Sequence, residues 1–121
     1  MRRGILAFPR FALAVELPET RAERRRGLLG RTALADDAGM LFSSCRSVHT
    51  FGMCFPIMVT TLDREMRVVE VRRLPPRRLL LPRRGVRHVL ECGASTEFVL
   101  GDRAELRLSD ELQEERAEQP A

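Results

Sequence analysis

The stretch HTFGMCFPIMV, His49 to Val59, decides how the chain is read. Its odd positions, His49, Phe51, Met53, Phe55, Ile57 and Val59, are mostly apolar, while Thr50, Gly52 and Cys54 alternate with them. A period of two is what a half-buried strand requires, because successive side chains point to opposite faces. Pro56 cannot donate to a ladder, so an edge or bulge is expected there. The segment thus reads as a strand that lines a small barrel.

Other strands follow by the same rule. FALAVEL, Phe11 to Leu17, alternates Phe11, Leu13, Val15 and Leu17 against Ala12, Ala14 and Glu16. RVVEVRRL answers the strand around residue 55 as a hairpin partner across the turn LDREMR. VRHVLEC is a further strand, and RAELRL, Arg103 to Leu108, is the last. Two short helices are expected. In the first, Thr20 and Glu23 form a reciprocal capping box, and Gly30 is placed to close the helix. The second is GASTEFVLG, closed by Gly101. Together these predict a β-rich α+β domain: a small, mostly antiparallel barrel-like fold whose closure would protect its strand edges.

The 121 residues fit one domain. The organisation read is a lead-in at 1–10, a single domain at 11–108, and an acidic, disordered tail at 109–121. The tail carries a charge of −4 against a total of +4, leaving +8 on the rest. All 21 basic residues are arginine, a compositional bias that weakens arginine counts as functional signs. Three cysteines, an odd number without CxxC spacing, read as reduced thiols of a cytoplasmic protein. No apolar run approaches the roughly 18 residues of a spanning helix, so no transmembrane segment is expected.

RRRGLLGR, GMLF, HTFGMCFPI, LD, RVVEV, HVLEC-G and GD stand in an order and spacing that resemble domain of unknown function family 192, also called uncharacterised protein family 0127. The match runs from Phe11 to Leu108. The resemblance implies a compact, mostly antiparallel β-barrel-like domain, and it implies no activity. The family pattern commonly carries an aspartate where this chain has Met58. A thioether cannot replace a carboxylate as base, acceptor or cation ligand.

Arg31, His49, Thr50, Asp63 and Glu91 form the candidate ligand-binding set, lying near the ends of separate elements. Such a set suits a small polar or anionic ligand, with Arg31 as a forked donor. The same residues also have ordinary structural uses: Asp63 starting a turn, Glu91 pairing with an arginine, His49 meeting a carbonyl. An enzymatic alternative is a small hydrolase or transferase in which His49 works with Asp63 or Glu91. No nucleotide-binding, zinc-protease or nucleophile-elbow motif is present, and no cofactor is expected. Cys45-x3-His49 and His88-x3-Cys92 would place each pair about 13 Å apart on strands, too far to share one ion, so no metal is expected either.

RRLPPRRLLLPRRGVR holds seven arginines and no acid. Arg77, Arg78, Arg83 and Arg84 are its candidate anion- or partner-binding residues, suited to an acidic protein or anionic ligand. The loop has no aromatic residue to stack on bases, which argues against nucleic acid. The reading that results is a non-enzymatic binding or accessory module. Nothing in the sequence sets an oligomeric state.

Overall fold

The computed structural model describes residues 1–93 and 95–110. Its elements are β1 (Arg2–Ala7), β2 (Ala12–Leu17), α1 (Arg21–Arg26), β3 (Ala38–Phe42), β4 (Val48–His49), β5 (Ile57–Leu62), β6 (Val68–Leu74), β7 (Leu79–Leu80), β8 (His88–Cys92) and β9 (Glu105–Leu108). Seven strands form one sheet in the order β6-β5-β8-β3-β2-β1-β9, and β4 pairs with β7 in a separate two-stranded sheet. The β2–β3 pair is parallel and every other pair is antiparallel.

The sheet is β-rich and mostly antiparallel, as expected, but it does not close into a barrel. The two ends of the sheet are joined around the isolated bridge Arg67–Arg103, without a continuous ladder. There Val68 donates to the Asp102 carbonyl, Gly101 to the Val68 carbonyl and Ala104 to the Met66 carbonyl, each at 2.9 Å. The free side of β6 is protected differently from what closure would provide: Arg72 and Arg73 stand exposed along it, and charged side chains discourage strand addition.

The long strand expected across residues 49–59 is not formed. β4 stops at His49, and the ladder resumes only at Ile57. Between them Met53 donates to the Thr50 carbonyl at 3.1 Å and Gly52 sits at φ 83°, a left-handed geometry that reverses the chain. Alternation therefore breaks: Phe51 is 52% exposed while Met53 is buried. Arg2–Ala7, read from sequence as lead-in, is a strand between β2 and β9.

The capping box of Thr20 and Glu23 forms as expected. The helix it starts ends sooner than expected, at Gly27 (φ 48°) rather than Gly30, with the Gly27 amide bonded to the Glu23 carbonyl. The helix expected at 93–101 does not form among the described residues, where 95–101 run as turn and irregular chain. That segment is held by side-chain bonds instead, Thr96 donating to the Asp36 carbonyl and Ser95 to the Asp36 carboxylate. Most of the acidic tail, 111–121, lies outside the described residues.

The sheet separates two apolar clusters. One gathers Leu6, Leu13, Val15, Leu17, Leu41, Leu62, Val68, Leu90 and Cys92, with the mutually packed rings of Phe8, Phe11 and Phe98 beside it. The other gathers Leu28, Met40, Phe42, Met53, Ile57, Val59, Leu74, Leu80 and Val89. Strand alternation on β8 sends Leu90 and Cys92 to the first cluster and Val89 to the second. Glu91 lies on the same side as Val89, opposite Met40 of β3.

Candidate functional site

Glu91 is a carboxylate planted in an apolar strand. It is only 4% exposed, and no hydrogen bond or ion pair reaches its side chain among the described residues. Burial alone pushes its pKa up to about 7, since the charged form has lost water and gained no partner. The residue borders a cavity of about 150 Å³, room for roughly five water-sized groups. Leu28, Phe42 and Met53 form its apolar wall.

The mouth is basic. Arg24, Arg25 and Arg26, from the last turn of α1, line it together with His49 from the end of β4. Arg24 is held in place: its Nη1 donates to the Ser43 carbonyl at 3.0 Å, and its guanidinium lies 6.0 Å from the centre of the Phe42 ring. Arg25 and Arg26 are exposed. Cys45 also borders the cavity, its thiol bonded to the Ser47 carbonyl.

Of the candidate ligand-binding residues, the structure brings His49 and Glu91 to one cavity and leaves the rest elsewhere. Thr50 is fully buried. Its Oγ1 donates to the Pro75 carbonyl and accepts from the Arg78 amide, both at 2.8 Å, which pins the arginine-rich loop to β4. Asp63 caps the β5–β6 turn, its Oδ1 accepting from the amides of Glu65 at 2.8 Å and Arg67 at 3.0 Å. Arg31 pairs with Glu16 beside a separate hollow near Ala14 and Gly39.

Arg77, Arg78, Arg83 and Arg84 are all exposed and none lines the Glu91 cavity. Arg83 forms an ion pair with Glu70 at 2.9 Å, and its carbonyl accepts from Arg46. Met58 lies on the opposite face of the sheet from Glu91. It borders a wider hollow of about 450 Å³ with Phe11, Val71, Phe98, Arg10 and Asp102. The charged groups of that hollow are exposed or half-buried, so none is left without water.

The α1 arginines escaped the sequence reading as site residues, while Phe42 and Met53, read from sequence as core, are core residues that also line the cavity. The capping box locates the helix, but no local pattern tells which end of it will face Glu91. Among the described residues, no three His, Cys, Asp or Glu side chains gather as a metal site. His88 and Cys92 lie along β8, where strand spacing separates them. Cys92 is buried, its thiol pushed up to about 12 chiefly by loss of water, so it stays protonated and unreactive. No helix among the described residues is long and apolar enough to cross a membrane.

Two solved structures share the fold. One, a protein of unknown function from Novosphingobium aromaticivorans DSM 12444, is 22% identical, with 85% of this chain and 83% of that chain covered and a TM-score of 0.72. The other, called a "putative transcription regulator", comes from Sinorhizobium meliloti 1021; it is 24% identical, with 87% and 92% covered and a TM-score of 0.74. No curated protein matches the chain. The model of the DUF192 family, described as "Uncharacterized ACR", matches residues 8–102. That match spans most of the sheet, α1 and the Glu91 cavity, and the chain belongs to this uncharacterised family.

Proposed function

We propose that this chain is a binding module for a small anionic molecule that also carries a hydrogen-bond donor. The observation that supports the reading is Glu91, a buried carboxylate without a partner, facing a cavity whose rim is arginine. A buried charge is costly unless something pairs with it. A hydroxyl or ammonium group entering the cavity would supply the missing donor. The ligand's anionic end would remain at the mouth, near Arg25, Arg26 and His49, where positive potential gathers anions from solution.

Cavity size restricts the ligand to a few heavy atoms, and short hydroxycarboxylates fit both chemical demands. Isothermal titration calorimetry with 3-hydroxybutyrate, and with butyrate as its hydroxyl-free analogue, tests the reading. Butyrate is expected to bind roughly tenfold or more weaker, the scale of a hydrogen bond to a charged group. Glu91→Gln, whose amide oxygen still accepts, should shrink the preference and Glu91→Leu should erase it, while Arg25→Ala with Arg26→Ala should weaken both ligands alike. Failure of every short hydroxy or amino acid to bind would sink the proposal. The acid–base alternative rests on the same carboxyl with His49, without Asp63, whose oxygen caps a turn. NMR of the titrated mixture separates the two, since an enzyme would consume the ligand that a binding module merely holds.

A further inference from the structure

We propose that the outer face of the β4–β7 sheet docks on an anionic lipid surface. Val48 pairs with Leu80 and His49 with Leu79. Leu80 and Val48 turn inward to the second cluster, so His49 and Leu79 turn outward. Leu81 follows β7 directly and is exposed beside Leu79. The Phe51 ring lies 5.7 Å from the His49 ring and extends the row. Phe51, Leu79 and Leu81 are 52%, 56% and 66% exposed, so they project from the surface and do not line a groove.

Arginines frame these projections. Residues 72–87 contain seven arginines and no acid, and Arg46 adds another beside Arg83. Arg77, Arg78 and Arg84 are exposed and form no ion pair among the described residues. The backbone beneath Arg77 and Arg78 is fixed to Thr50. Thr50 donates its amide to the Arg78 carbonyl at 2.8 Å, and the Arg77 amide reaches the Thr50 carbonyl at 3.2 Å.

A folded protein partner would need a pocket shaped for each projecting side chain. The boundary between lipid headgroups and acyl chains accepts them in any arrangement, while arginines reach the phosphates with their stems along the interface. Three apolar side chains alone hold a surface weakly, so the basic frame and the apolar row must act together. This contact shares His49 with the mouth of the Glu91 cavity but does not use Glu91.

Co-sedimentation of the full chain with phosphatidylglycerol-rich vesicles, compared with pure phosphatidylcholine vesicles, tests it. Binding is expected to the anionic vesicles only, and to be lost between about 0.05 M and about 0.5 M salt, as the screening length shortens. Leu79→Ser with Leu81→Ser, and separately Arg77→Ala with Arg84→Ala, should each weaken binding roughly tenfold or more with the melting temperature unchanged. Glu91→Gln should bind vesicles as the parent does. No binding, or equal binding to both vesicle types, overturns the proposal. Binding that ignores the leucine pair also overturns it, because a general polyanion site would then suffice, as would tighter binding to an acidic polypeptide than to vesicles.

Discussion

Leu90 and Glu91 are neighbours on β8, yet they face opposite sides of one sheet. On the Leu90 side aliphatic side chains and three packed rings surround Leu90, and the charged groups of the hollow beside Met58 all reach water. On the Glu91 side the packing is interrupted by a carboxylate and a cavity. The first face is built for stability. The second gives up packing and solvation for a polar group held ready, the usual mark of a binding site.

Three measurements would break or sharpen this contrast. Leu90→Ala should cost about 2–5 kcal/mol in urea unfolding, because Leu90 is fully buried and its packed neighbours relax only partly into the space it leaves. A cost below about 1 kcal/mol would mean that the first face is as loosely filled as the second.

Glu91 should act in the opposite sense, through pH. Its carboxyl titrates at about 7 when folded against 4.5 when unfolded, so near pH 6 the native chain keeps a proton that the unfolded chain has released. The stability it contributes is complete below about pH 4.5 and is lost as pH rises through about 7. The loss amounts to up to about 3 kcal/mol. Glu91→Gln should flatten that slope and raise stability at pH 8 by an amount up to that figure. If the slope persists in the variant, another group carries it and Glu91 is well solvated.

The smallest effect is expected at the edge of the second face. Thr50→Val keeps the shape but removes the hydroxyl that ties Pro75 and Arg78 to β4. It should cost about 1–3 kcal/mol, the scale for leaving buried backbone groups unpaired. Hydrogen exchange should also quicken at Arg78, whose amide that hydroxyl accepts. Unchanged exchange there would show that the loop needs no such tie.

The outcome at residues 49–59 shows where sequence patterns mislead. Phe51, Phe55, Ile57 and Val59 alternate at strand spacing, but alternation describes only which side a residue would face if the backbone stayed extended. Gly52 is free to adopt a left-handed turn, and Thr50 bonds to the loop at residues 75–78 through its hydroxyl. The partner in that bond is 25 residues away in sequence, beyond any local window. Closure of the sheet was misjudged for a related reason. A sheet edge needs protection, but Arg72 and Arg73 supply it without a second neighbour for β6.

By itself the sequence determined the family, the β-rich character and the capped start of α1, and it marked out strands β2, β6, β8 and β9. Each of these rests on interactions within a few residues or on a repeating period. Only the tertiary structure decided which candidate residues share a space. It placed His49 and Glu91 at one cavity, tied Thr50 and Asp63 into backbone turns, and paired Arg31 with Glu16. Convergence of side chains depends on strand order, and strand order is set by contacts between residues far apart in the chain, which no short stretch encodes.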